Sequence, residues 1–228
     1  MPETGLEIIF EDNYLLVLNK PAGIPSEGKA DSAEHWAKDY LKKEAAHRRK
    51  PFLLHRLDKP VSGLLLFAKT AQANKFLQAQ FEERSVRKFY IAILEGTLIK
   101  KEGVLSDVIL KDPLTFMARR ADKYEKEARE AKLTYELLET KDNLSLVKIE
   151  LFTGRYHQIR LQMSLAGFPV YGDLRYGAKT SLPNNNIALH AFQLEFRHPK
   201  TDVNMKFVVQ PKGDIWEDWN WIGPELTT

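Results

Sequence analysis

Residues 133–151 read Leu-Thr-Tyr-Glu-Leu-Leu-Glu-Thr-Lys-Asp-Asn-Leu-Ser-Leu-Val-Lys-Ile-Glu-Leu. Leu133, Tyr135 and Leu137 alternate with polar residues, and so do Leu144, Leu146 and, less cleanly, Ile149 and Leu151. Between the runs lies Lys141-Asp142-Asn143, whose types favour a tight turn. This predicts a hairpin of strands 133–139 and 144–151. Working outward, Glu7–Glu11 and Tyr14–Leu18 form another strand pair around Asp12-Asn13, and Leu64–Phe67 is a short buried strand. Phe89–Leu94 is a strand ended by Gly96, and late strands fall at 187–196 and 204–209. Helices are predicted over 31–44, capped by Asp31 or Ser32, and after Thr70, with Ala73, Phe76, Leu77 and Phe81 facing inward. A third runs from Gly154 to about Ala166. Strands arriving in runs with a few helices between them mean an α+β fold with a mixed, largely antiparallel sheet and flanking helices.

The chain has 228 residues, 43% hydrophobic and 29% charged, with no cysteine and a net charge of +3. It is too apolar for a disordered chain. Its longest aliphatic-aromatic run, Phe89–Leu94, is far short of the roughly 20 residues that span a bilayer. The start Met1-Pro2-Glu3-Thr4-Gly5 lacks the pattern of a signal peptide. Zero cysteines exclude disulfides, zinc-thiolate sites and thiol catalysis. The expectation is one domain over 1–228, soluble and cytoplasmic, with no membrane partner. A nucleic-acid binder fits this balance only if its positive charge is gathered on one face.

Three segments suggest chemistry. Gly23–Ala30 nearly spells a phosphate loop, but position 30 is alanine, Pro25 removes an N–H donor, and Glu27 sets a carboxylate beside the anion; a Gly/Pro surface loop is expected instead. The six histidines match no metal spacing, and His35, His47 and His198 are read as structural or surface residues. Leu54–Gly63 contains His55-Arg56-Leu57-Asp58-Lys59, one acid among three basic groups in a loop closed by Pro60 and Gly63. Neighbouring cations let such a carboxylate stay ionised while partly buried. On local sequence it reads equally as a structural ion pair.

The segment His55-Arg56-Leu57-Asp58-x-x-x-Ser62-Gly63 resembles the H-R-L-D-x-x-T-S-G signature of the RluA-type RNA pseudouridine synthases (ribosomal large subunit pseudouridine synthase A and relatives). Further stretches resemble that family in order. They are Asn19-Lys20-Pro21-Ala22-Gly23, Lys88-Phe89-Tyr90-x-Ala92 and Gly154-Arg155-Tyr156-His157-Gln158-Ile159-Arg160. Gly172-Asp173-x-x-Tyr176-Gly177, Ala188-Leu189-His190-Ala191 and His198-Pro199 follow. The motifs cover about residues 7–211, leaving 212–228 as a tail. Val61 replaces the usual threonine, Tyr156 stands where Thr or Ser is common, and Asn184–Asn186 lacks a customary basic residue. The chain begins almost directly with the motifs, so an added S4-like RNA-binding domain is not expected.

The resemblance implies a pseudouridine synthase fold with a catalytic cleft and an isomerase that breaks the glycosidic bond of a flipped uridine and rejoins the base through C5. No redox step occurs, so no cofactor and no metal are called for. It implies Asp58 as the catalytic carboxylate, Arg160 as its guanidinium partner and Tyr90 as the ring beside the base. On the helix after Gly154, His157, Arg160 and Ser164 would form a polar stripe. Arg56 would fill the gap left by the flipped base, with His55, Arg155, His157, Leu189 and His190 lining the substrate site. RNA (rRNA or tRNA) is the expected partner, contacted through Lys42, Lys43, Arg48, Arg49, Lys50, Lys59, Arg119 and Arg120, and the protein is expected to act as a monomer. The alternatives are a non-catalytic RNA-binding protein on the same scaffold, and a nucleoside or glycoside hydrolase, which would want a second opposed carboxylate.

Overall fold

A computed structural model describes residues 5–44 and 50–219. Along the chain run β1 (Glu7–Glu11), β2 (Leu15–Lys20), α1 (Ala33–Glu44), β3 (Phe52–Leu53), β4 (Ser62–Ala68), α2 (Ala71–Glu82) and β5 (Arg87–Glu95). There follow β6 (Glu102–Lys111), β7 (Ala118–Arg120), β8 (Arg129–Lys141), β9 (Leu144–Leu151), α3 (Gln158–Leu165), β10 (Leu189–Arg197), β11 (Asn204–Val208) and α4 (Asp214–Glu217). The fold is α+β. It divides into two compact units, one made of residues up to Arg87 with Ala191–Pro211, the other of Lys88–His190 with residues from Lys212 on. None of the helices among the described residues is long and apolar enough to cross a membrane.

In the first unit the strand order is β1-β2-β4-β10, with β3 on β4 and β11 on β10. β1, β3 and β2 pair antiparallel with their neighbours, as does β11 with β10. Leu15–Leu18 and Leu64–Phe67 are unbroken aliphatic or aromatic runs, and all eight residues are at most 1% exposed, as strands covered on both faces should be. Leu15, Val17, Leu64 and Leu66 pack with Ala73 and Leu77 of α2 and with Leu194, Phe196 and Phe207. Thr70 caps α2 as predicted, its Oγ1 accepting from Ala73 N–H at 3.1 Å. Ser32 does the same for α1, accepting from His35 N–H. His198 is structural, as expected: its Nδ1 accepts from Lys200 and Thr201 N–H, and its Nε2 bonds Asp12 at 2.8 Å. His47 lies outside the described residues.

Gly63, predicted to close a loop, lies inside β4 opposite Lys20. Its φ is +117°, and a Cβ there would stand 2.3 Å from Ala191 O, so only glycine lets the two backbones approach this closely.

The second unit orders its strands β5-β9-β8-β6-β7, every adjacent pair antiparallel. The hairpin read from 133–151 is β8–β9, closed by Asp142 and Asn143 at φ of 51° and 58°. Such positive values twist a two-residue turn the way its strands twist. β8 is longer than predicted because residues 129–132 pair with β6 and 140–141 with β9, while a register shift between Leu137 and Glu139 absorbs Leu138 and turns it outward. The predicted helix from Gly154 begins instead at Gln158. His157 is its N-cap at φ of 50°, a left-handed conformation that stops the helix from extending backward. β3, β6 and β7 were not predicted. In β6 Val104 is 61% exposed, so its apolar residues mark no single buried face.

Candidate active site

In the first unit the chain on either side of Asp58 is clamped from below. Ser26 Oγ accepts from Leu57 N–H at 2.9 Å and donates to Leu57 O at 2.7 Å, both in buried surroundings. Gly23 N–H donates to Lys59 O at 2.8 Å, and Val61 N–H closes a turn onto Asp58 O at 3.0 Å. Lys20 is fully buried and its Nζ donates to Ile24 O (2.7 Å), Pro21 O (3.0 Å) and Lys59 O (3.5 Å). Burial pushes this ammonium down to about 7, against the opposing pull of the nearby Asp58 carboxylate. Asp58 itself is half-buried. The near-phosphate loop thus serves another purpose: its hydroxyl and its glycine N–H hold the 57–59 backbone.

His55 and Arg56 go separate ways. His55 Nε2 accepts from Leu66 N–H at 3.2 Å, and its ring stacks with Phe81 at 5.6 Å, so the imidazole braces β4. Arg56 is more than half exposed and pairs with Glu27.

In the second unit Tyr90 sits on β5 opposite Ile149, 7% exposed. Lys88, two residues earlier, points to the same side of the strand. Burial and the neighbouring Arg155 cation lower its ammonium to about 8. Arg155 Nε donates to Glu130 O at 3.0 Å. Leu189 and His190 are buried, and His190 meets Trp216 edge-on at 6.5 Å.

Arg160 is 3% exposed and grips Asp173, 1% exposed, in a fork: Nε to Oδ2 at 2.6 Å and Nη2 to Oδ1 at 2.8 Å. Its Cζ lies 4.9 Å from the Tyr176 ring centre. The Tyr176 hydroxyl accepts from Ala118 N–H at 2.6 Å and bonds His157 Nδ1 at 2.8 Å. Burial, then the Arg160, Arg175 and Lys111 cations, push His157 down to about 3, so it is neutral, and in the tautomer protonated at Nε2 its Nδ1 accepts a hydrogen bond from the phenol. Tyr176 is itself pushed up to about 12 by burial and stays a phenol.

His157, Arg160 and Ser164 do share a side, all three meeting Tyr176 through Nδ1, the guanidinium and Oγ, although His157 is the cap just outside α3 rather than a residue of the helix. The sequence reading missed Asp173, Tyr176, Lys20 and Ser26 as site residues. A pair of opposite charges in successive motifs, Arg160 and Asp173, was the available signal for the first.

Of the basic residues expected at an RNA surface, Lys42 pairs with Asp39, Arg119 with Glu125 and Arg120 with Asp107. Lys43, Lys50 and Lys59 are exposed. Arg48 and Arg49 lie outside the described residues.

Residues 14–165 match a family model described as RNA pseudouridylate synthase. A Bacillus subtilis (strain 168) protein named uncharacterized RNA pseudouridine synthase YhcT is 36% identical over 214 residues, 89% of this chain and 68% of that protein. Ribosomal large subunit pseudouridine synthase C of Vibrio parahaemolyticus is 33% identical over 205 residues, 87% of this chain and 64% of its own length. Among solved structures, human RNA Pseudouridylate Synthase Domain Containing 4 superposes with a TM-score of 0.74 at 24% identity, covering 89% of this chain and 87% of that one.

Proposed function

We propose that this chain, which belongs to the RNA pseudouridylate synthase family, isomerises particular uridines of a folded RNA with Asp58 as its attacking carboxylate. Breaking the bond between C1′ and N1 requires an ionised oxygen held close to a flipped nucleotide, where bulk water does not compete. The observation that carries the reading is the clamp on residues 57–59: four backbone groups bonded by Gly23, Ser26 and Val61, above a buried Lys20 whose charge favours an ionised Asp58. A carboxylate presented this way loses little freedom when substrate arrives.

Tyr90 and Arg160 serve the same reaction in this proposal. The phenol of Tyr90 supplies a flat face and an ionisable hydroxyl for proton movement at the base. Arg160 supplies a fixed positive charge, its fork already oriented by Asp173. Arg56 is the guanidinium that takes the place of the flipped base, leaving Glu27 to do so. The chemistry is redox-neutral and its atoms balance: an Asp58 oxygen bonds C1′ as N1 leaves, the uracil turns, C5 bonds C1′ as the Asp58 oxygen departs, and the proton lost from C5 is matched by one gained at N1.

The names of the relatives point to ribosomal RNA as the first substrate class to test, with transfer RNA second, and a cytoplasmic monomer is the proposed working form. Chemical mapping of pseudouridine in total RNA from cells with and without the gene is the direct experiment. At least one site is expected to disappear, and to return with the wild-type gene but not with Asp58→Asn. Pure Asp58→Asn protein is expected to bind that RNA within about threefold of wild type, since one half-buried acid contributes little to phosphate contacts. Turnover by the variant would place the nucleophile elsewhere.

A further inference from the structure

The loop between β6 and β7, residues 112–117, takes no part in the chemistry above, yet it is built around one exposed ring. Asp112 Oδ1 accepts from Leu114 N–H at 2.8 Å, Phe116 N–H donates to Asp112 O at 3.0 Å, and Asp112 N–H donates to Met117 O at 2.8 Å. Inside this frame Phe116 has φ of +52°. Bulky residues adopt that left-handed conformation only where their surroundings impose it, and glycine or asparagine would adopt it more easily. Its carbonyl is what the surroundings hold: the Tyr156 hydroxyl donates to it at 3.1 Å and Arg175 Nη2 at 3.0 Å. Tyr156 stands where the resembled motif has Thr or Ser, and its longer reach is what brings a hydroxyl to this carbonyl.

The result is a phenyl ring left 60% exposed on a fixed backbone. Lys111 Nζ stands 5.4 Å from its centre and 4.7 Å from that of Tyr156, which stacks on His157 at 3.8 Å. Lys111 stands over the Phe116 ring and Arg175 bonds the Phe116 carbonyl, so two cations border this aromatic group, while the Asp112 carboxylate is engaged by the Leu114 and Thr115 N–H groups. A flat apolar face bordered by cations matches a nucleobase tethered to phosphate. A single ring and one neighbouring exposed leucine, Leu114, are too small a patch for a stable protein interface.

We infer that Phe116 is a stacking platform for an unpaired nucleobase of the RNA, with Lys111 meeting the adjoining phosphate. The inference rests on the RNA-modifying reading and adds a contact that selects for bases free of pairing.

The test uses the full chain and a single-stranded RNA of about eight nucleotides, within the usual site size, carrying one 2-aminopurine. Wild type is expected to quench the probe. Phe116→Leu should abolish the quenching and weaken binding by at least about fivefold, the lower end for loss of one stacked base, with an unchanged melting temperature. Phe116→Trp should restore both. An oligomer abasic at the probe position should bind wild type and Phe116→Leu alike. Equal binding of the intact oligomer by wild type and Phe116→Leu overturns the inference, as does wild-type binding of intact and abasic oligomers with equal strength. Should Phe116→Leu fold poorly, Phe116→Trp carries the test: its indole emission should fall with the intact oligomer and not with the abasic one, and a response to neither overturns the platform. Quenching without pseudouridine formation in any RNA would keep the platform and overturn the isomerase. Pseudouridine formation with undiminished binding by Phe116→Leu would do the reverse.

Discussion

Arg160 and Asp173 are both nearly inaccessible to water and joined by two short charge-assisted bonds. Removing one partner of such a pair leaves the other's charge less well matched in the interior, so Asp173→Asn is expected to destabilise the fold by up to about 3–5 kcal/mol. Thermal unfolding measures this, and a melting temperature equal to wild type would show that Asp173 is not Arg160's main counter-charge. His157 supplies a second prediction. Its folded value of about 3 lies below the ordinary 6.5, so the unfolded chain binds the proton first on acidification. The stabilisation is complete above pH 6.5 and is lost as pH falls toward 3, reaching about 2 kcal/mol of loss at pH 5. Denaturant titrations at pH 7 and 5 should show this slope, and His157→Gln should flatten it.

At the scale of elements, the segment 20–26 and the loop 57–59 behave as one piece because a single hydroxyl serves two backbone groups. Ser26→Ala leaves Leu57 N–H and O without that hydroxyl in buried surroundings, which costs about 2 kcal/mol. A loosened Asp58 should also lower kcat by about ten- to a hundredfold with little change in KM. Kinetics on the mapped RNA separate the two parameters; loss of stability with unchanged kcat would reduce Ser26 to a structural role. The element also explains why a stretch resembling a phosphate loop precedes the 55–63 segment: glycine at φ of 90° lets Gly23 donate to Lys59 O, a need of the backbone rather than of a ligand.

For the whole molecule, the net charge of +3 is too small for long-range attraction to dominate RNA binding. Arg56, Arg119 and Arg120 are already matched by Glu27, Glu125 and Asp107. A modest number of phosphate contacts then remains. Raising salt from about 50 to 200 mM is expected to weaken RNA binding by roughly ten- to a hundredfold, as release of counterions from two to four phosphates predicts. Titrations across that range read the slope directly, and an affinity indifferent to salt would deny that phosphates are contacted at all.

Much was legible in the chain itself. Alternation at 133–151, the four-residue apolar runs of β2 and β4 and the cap at Thr70 are local patterns, and local patterns dictate the period and the buried face. The order of the motifs likewise identified the family. What the sequence could not show depends on groups distant along the chain. The fork between Arg160 and Asp173 spans a helix end and a turn. Ser26 reaches Leu57 across 31 residues, and the left-handed His157 cuts short a helix whose spacing looked continuous. The bond by which Leu66 N–H holds His55 Nε2 is likewise unannounced by the sequence. Pairings of this kind are selected by burial, which makes an unmatched charge or donor intolerable, and burial exists only once the strands and helices have packed.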